Sequence, residues 1–114
     1  MKQKELHKGC LEPILLKLLQ DNGRMYGYEI TQKVRLLTKG EINITEGALY
    51  PLLHRLESDD IIYCEIEMIN NRSRKYYQLT PKGKLQETEG TVALAKFVES
   101  ISAILQPTLK PNLQ

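Results

Sequence analysis

The residues best placed to do chemistry in this sequence are cations. Arg72, Arg74, Lys75, Lys82 and Lys84 all fall between Met68 and Gln86, a stretch without an aspartate or glutamate, while acids gather elsewhere, as at Glu57, Asp59 and Asp60. Phosphate oxygens are what such a local excess attracts, because each contact with a polyanion also releases condensed counterions. The 114-residue chain has a net charge of only +2, so the distribution carries the argument and the sum does not. A second set is less charged: Gly47, Tyr50, Pro51, His54 and Ser58, with Arg55 at its edge. At about 100° per residue these lie along one side of a helix. They offer hydroxyl, imidazole and guanidinium groups to whatever that side meets.

Other chemistries have little to stand on. There is no glycine loop to cradle phosphate, no cluster of metal ligands and no nucleophile beside a base. His7 and His54 are isolated, and a catalytic histidine needs a positioned partner. An enzyme is therefore not expected, and neither is a cofactor or a metal. Cys10 and Cys64 lack the spacing of a zinc or redox motif and read as buried free thiols. No apolar run approaches the roughly 20 residues of a spanning helix. The stretch from Met1 to Lys8 is charged and lacks the apolar segment of a secretory signal, so a cytoplasmic protein is expected. A hydrophobic fraction of 41% with 26% charged residues is ordinary for one globular domain.

The elements that position the two sets follow from periodicity. Leu11, Ile14, Leu15, Leu18 and Leu19 repeat at helical spacing up to the break at Asp21-Asn22-Gly23. Pro13 fits the first turn of that helix, and the start is open, with an earlier turn from about Gln3 as the alternative. Tyr26, Ile30, Val34 and Leu37 give a second, short helix closed by Lys39-Gly40. Thr45 is placed to cap a third, whose Leu49, Leu52, Leu53 and Leu56 share the inner face. From Ile61 to Ile69 the period is two: Ile62, Cys64, Ile66 and Met68 alternate with Tyr63, Glu65 and Glu67, as in a half-buried strand. Asn70 to Arg74 reads as its turn and Lys75 to Leu79 as the returning strand. Thr80-Pro81 then caps and opens a last helix that runs to about Ile104. Its second half is more apolar than one side of a small domain needs. Leu94, Val98, Ile101 and Leu105 step by four, three and four, the spacing of a seam between helices.

Helix, helix, helix, hairpin, helix is the winged-helix order. The expected fold is mainly α with a two-stranded β wing: a winged helix-turn-helix over 1–80, a dimerisation helix over 81–106 and a tail over 107–114. The wing lies beside the third helix in this plan. The major groove of B-DNA, about 12 Å wide, admits one α-helix, and basic side chains on a wing reach the adjacent backbone or minor groove. Double-stranded DNA is therefore the expected partner.

Three blocks carry a family resemblance: Tyr26-Gly27-Tyr28-Glu29-Ile30, the run from Glu46 to Glu57, and Arg74-Lys75-Tyr76-Tyr77-Gln78-Leu79-Thr80-Pro81-Lys82-Gly83. In this order they resemble the PadR-like transcriptional regulators over about Leu11 to Lys84. A proline beside a tyrosine inside the third helix is not a general winged-helix feature. The resemblance implies a repressor-type regulator whose last helix makes a homodimer, and the single C-terminal helix is similar to that of the short members. Several short members sense planar hydrophobic drugs between subunits, where tryptophans stack on the ligand; this chain has no tryptophan.

On this reading Tyr50, Pro51, His54 and Arg55 face DNA from the third helix, and Arg72, Arg74 and Lys75 face it from the wing. Each has a plainer alternative. Tyr50 and His54 would be surface packing, Pro51 a helix-shaping residue, Arg55 half of a surface ion pair, and the wing cations a solvated turn. Lys33, Arg35 and Lys39 are weaker backbone candidates. Gly27 is expected to permit tight helix packing and Tyr28 to place its ring in the core, the alternative being a hydroxyl that donates to a phosphate. A hydrophobic small-molecule effector, if present, is expected beside Phe97 and the first helix, between subunits joined through Leu94, Val98, Ile101 and Leu105. The competing function is a winged-helix adaptor whose basic wing binds an acidic protein.

Overall fold

The computed structural model describes residues 4–5 and 8–106, so His7 and the expected tail over 107–114 lie outside the described residues. Chain order is β1 (Lys4–Glu5), α1 (Lys8–Asn22), β2 (Met25–Tyr26), α2 (Gly27–Leu37), β3 (Ile42–Asn43), α3 (Glu46–Ser58), β4 (Ile62–Ile69), β5 (Arg72–Leu79) and α4 (Pro81–Leu105). Leu15, Leu16 and Leu19 of α1, Ile30 of α2, Leu49, Leu53 and Leu56 of α3 and Ile62 of β4 are fully buried together. Burying each such side chain contributes about 1.5–3 kcal/mol. Tyr77 and Leu79 close the core from the sheet. Burial, with the charges of Cys64 and Glu57 nearby, pushes the Tyr77 phenol up to about 12. Burial likewise raises the Cys64 thiol, with Glu57 adding to the effect. Both cysteines are free and half-buried rather than buried.

The helix starts obey local chemistry. The Thr45 hydroxyl accepts from the Ala48 N–H at 3.2 Å and the Thr80 hydroxyl from the Gly83 N–H at 2.9 Å. At α2 the reach is reversed, and the Glu29 carboxylate accepts from the Tyr26 N–H at 3.1 Å. These caps satisfy N–H groups that have no partner inside the helix.

Four expectations change. Helix α1 begins at Lys8, so Pro13 sits inside it rather than in its first turn. The bond a proline forfeits there is only that to the carbonyl four residues back, Gly9, still close to the helix start. Tyr26 belongs to β2 and pairs with Tyr76, so the sheet has the order β2-β5-β4 and the wing is three-stranded at its base. The turn shrinks to Asn70-Asn71, with φ of 51° and 65°. Positive φ at both central residues is the tight hairpin turn that matches strand twist, and asparagine tolerates it. Arg72 and Arg74 are therefore strand residues, paired with Ile69 and Glu67. Finally, Ile66 and Met68 are 63% and 68% exposed. The alternation continues, but the hairpin outruns the helices that would cover it.

Gly83 meets the backbone more closely than any side chain allows: a Cβ there would stand 2.0 Å from the Ile61 carbonyl oxygen. Gly83→Ala should therefore lower stability by about 3 kcal/mol, because a backbone carbonyl has nowhere to go. Gly47→Ala, where nothing lies within 4 Å, should instead change it by under about 1 kcal/mol, in the favourable direction. Urea midpoints of the two variants check this pair; equal midpoints would contradict the packing described.

Candidate nucleic-acid interface

Helix α3 turns Leu49, Leu53 and Leu56 inward and leaves Gly47, Tyr50, Pro51, His54 and Ser58 on the surface. Its angle to α2 depends on the glycine that opens α2. A Cβ on Gly27 would lie 2.3 Å from the Tyr50 hydroxyl oxygen and 2.8 Å from the adjoining ring carbon. The Tyr50 ring thus rests on Gly27, and only 38% of the residue remains exposed. Gly27 plays the packing part expected of it. The neighbouring Tyr28 does not: it is 60% exposed, because the core beneath α2 is filled by Ile30, Thr31 and Val34.

The wing divides its cations between two faces. Paired residues of β4 and β5 share a side, so Arg72 and Arg74 lie with Tyr76, Glu65 and Glu67, whereas Lys75 lies opposite Ile66 on the other side. On the first face, the Arg74 guanidinium sits 4.0 Å above the Tyr26 ring and donates to the Tyr76 hydroxyl at 3.5 Å. Arg24 sits 4.2 Å above the Tyr76 ring, and the two tyrosines meet edge to face at 5.4 Å. Arg24 also pairs with Glu67, and with Glu65 at 3.7 Å. The hydrogen bonds that Arg24 donates to Glu67 and Arg74 donates to the Tyr76 hydroxyl oxygen raise the two guanidinium pKa values further above an already high level. Each guanidinium is attracted by the negative face of the ring beneath it. Among the described residues, neither Arg72 nor Lys75 has an ion-pair partner.

Arg55 is engaged otherwise. Its guanidinium donates to Glu12 of α1 at 2.7 Å and approaches Asp59 at 3.7 Å. The hydrogen bond it donates to the Glu12 carboxylate raises its pKa. This is the surface ion pair that the sequence left open as its alternative. Of the weaker candidates, Arg35 donates to Asn43 at 2.8 Å, Lys33 is half-buried and Lys39 is exposed. Sequence reasoning missed Arg24, Tyr26, Glu12 and Gln86. Arg24 and Glu67 are 43 residues apart, as are Arg55 and Glu12, and no local pattern announces such a pairing.

Away from the wing, α4 leaves Phe97, Val98, Ile101 and Leu105 exposed at 58%, 57%, 39% and 64%, while Leu94 is half-buried. Between α1 and α4 runs a groove of about 1010 Å³ lined by Pro13, Leu16, Leu94, Phe97 and Ile101, with Glu12 at its polar part.

Residues 15–89 match the family described as the transcriptional regulator PadR-like family. The chain belongs to that family. It is 30% identical over 98 residues to a transcriptional regulator of Mycobacterium tuberculosis, covering 86% of this chain and 88% of that one. A transcriptional regulator from Clostridium thermocellum superposes with a TM-score of 0.76 at 28% identity, over 86% of this chain and 95% of that one. A PadR-like transcriptional regulator from Bacillus cereus gives 0.72 at 29%, over 87% and 94%. This PadR-like protein is thus a DNA-binding transcriptional regulator and not an enzyme. Among the described residues, no helix is long and apolar enough to cross a membrane.

Because Gly27 and Tyr50 occupy one space, their substitutions should not be additive. Gly27→Ala should lower stability by about 1–3 kcal/mol in the natural background and by much less in a Tyr50→Ala background, where the ring is gone. Four melting curves test this. Equal costs in both backgrounds would mean that Tyr50 does not rest on Gly27.

Proposed function

We propose that this PadR-like protein is a homodimeric repressor that binds a pseudo-palindromic operator and is released by a hydrophobic small molecule between its subunits. The apolar surface of α4 carries the reading: Phe97, Val98 and Ile101 are exposed in one chain, and a symmetric pair of helices at the Leu94, Val98, Ile101, Leu105 seam would bury them. Two recognition helices related by a twofold axis then meet half-sites about one helical turn apart, roughly 34 Å. Tyr50, Pro51 and His54 face the major groove from α3, and Arg72, Arg74 and Lys75 take phosphates from the wing. Arg72 and Lys75 are best placed for this, being free of ion pairs to described residues. Phe97 lines the groove in which an apolar effector would lie.

Val98→Glu with Ile101→Glu should yield monomers in sedimentation at micromolar concentration. A monomeric natural protein, or a double variant that stays dimeric, would reject the seam. Binding to duplex from the chain's own upstream region separates the two DNA elements. Arg72→Ala and Lys75→Ala should weaken operator and random DNA alike, each flattening the slope of log affinity against log salt by about 1, or about 2 if both wings of the dimer lose a contact. Tyr50→Ala should instead compress the ratio of operator to random affinity, by up to about 1–3 kcal/mol where a base contact is lost. Weak, uniform binding by the natural protein would favour the adaptor reading. Wing substitutions that changed base preference would assign the reading element to the wing.

A further inference from the structure

The carboxylate of Glu12 is the one side chain described that ties α1, α3 and α4 together. One oxygen accepts from Arg55 at 2.7 Å and the other from Gln86 at 2.7 Å. Arg55 lies in the last turn of α3 and Gln86 in the second turn of α4. Glu12 also lines the groove between α1 and α4. Its side chain is 30% exposed, so its two bonds are partly shielded from water. At the same end of α3, Arg55 also approaches Asp59, four residues on, and the Lys82 ammonium of α4 reaches the Asp59 backbone carbonyl at 3.1 Å; Glu12 differs from both in joining side chains of α3 and α4 through α1.

We infer that Glu12 is a positioning residue that sets α3 through Arg55, and that it relays the placement of α4 to the recognition helix through Gln86. The inference rests on α3 being the element that reads DNA. A carboxylate shared between two donors holds both only while both stay within hydrogen-bond reach. A movement of α4 that withdraws Gln86, or a group in the groove that takes the Glu12 carboxylate, alters the partner of Arg55 and the seat of the last turn of α3. Arg55 on this account serves recognition without touching a base.

The experiment uses the full chain and compares its affinity for operator duplex with that for random duplex at one salt concentration. Glu12→Gln keeps the size of the side chain and removes its charge; the operator-to-random ratio should fall by about fivefold, as befits a partly exposed charge pair. In an Arg55→Ala background the same substitution should produce no further fall. The deciding variant is the charge swap, Glu12→Arg together with Arg55→Glu, which should recover most of the ratio lost by Arg55→Glu alone. Thermal melts accompany each variant and identify any that fail to fold; Glu12→Asp, which keeps the charge and shortens the reach, supplies a second pair with Arg55→Ala if the swap does not fold, and should fall in the natural background alone. A swap as defective as Arg55→Glu would mean that Arg55 acts on DNA directly and would overturn the inference, as would an unchanged ratio in Glu12→Gln. Absence of operator preference in the natural protein is a different result, one that removes the DNA-reading assignment of α3 on which the inference stands.

Discussion

Much of this structure hangs on the hydroxyl of Thr80. It donates toward the Asp60 carbonyl at 2.7 Å, lies 3.0 Å from the Ile61 carbonyl and accepts from the Gly83 N–H. The Thr80 backbone N–H adds a bond to the Ile61 carbonyl at 3.0 Å, and the Lys82 ammonium reaches the Asp59 carbonyl at 3.1 Å. The end of α3, the start of β4, the end of β5 and the start of α4 therefore converge on one residue. Asp60, at a φ of 61°, turns the chain sharply enough for this to happen. Replace the threonine by an apolar residue and the Asp60 carbonyl and Gly83 N–H lose this partner where Thr80 is buried, while the Ile61 carbonyl keeps the Thr80 backbone N–H, a loss larger than that of one surface cap. The orientation of the wing relative to α3, and the direction in which α4 leaves, are both set here.

From that junction the wing gains its stiffness by side-chain contacts rather than by burial. Past Cys64 there is little core beneath it, and Ile66 and Met68 stand in water. The interleaved Arg24, Tyr76, Tyr26 and Arg74 replace the missing core on one face. In the phosphate-binding role proposed for the wing, an Arg74 side chain already confined would lose less rotamer freedom when a phosphate arrives. Arg72, nearer the turn and without an ion pair to any described residue, keeps a longer reach. The two arginines, two residues apart, thus differ in kind: Arg74 is held against Tyr26 and Tyr76, and Arg72 has no ion pair among the described residues.

How legible this was depended on the range of the physics involved. Helical periodicity and the threonine caps are local, and Thr45 and Thr80 start helices where the sequence placed them. The Asn70-Asn71 turn is local too, yet it was read too long, since arginine and serine are as common in turns as in solvated strands. Tyr26 fits the helical spacing of Ile30 and Val34, but pairing with Tyr76, fifty residues away, places it in β2. For Tyr28 the sequence offers both a core place and a surface one, and Ile30 takes the inward position while Tyr28 stays exposed. The site shows the same division. Gly27 was recognised as a packing residue, but its partner Tyr50 was visible only in three dimensions. Arg55 carried two readings, and choosing between them required Glu12, a residue with nothing in its neighbourhood to mark it.

The geometry of α4 limits what kind of motion can reach α3. With its first turn fixed at Thr80, Gln86 lies about 7.5 Å along the helix from Pro81 and Ile101 about 30 Å, at 1.5 Å per residue. A swing about the fixed end that moves Ile101 by about 2 Å moves Gln86 by only about 0.5 Å, which a hydrogen bond of 2.7 Å absorbs by bending. Swinging is thus attenuated before it arrives at Glu12. Rotation of α4 about its own axis is not, since it turns Gln86 through the same angle as Ile101 wherever the fulcrum lies. An interface that gripped Val98 and Ile101 from one side would apply such a torque, and the carboxylate of Glu12 stands where the torque would be felt.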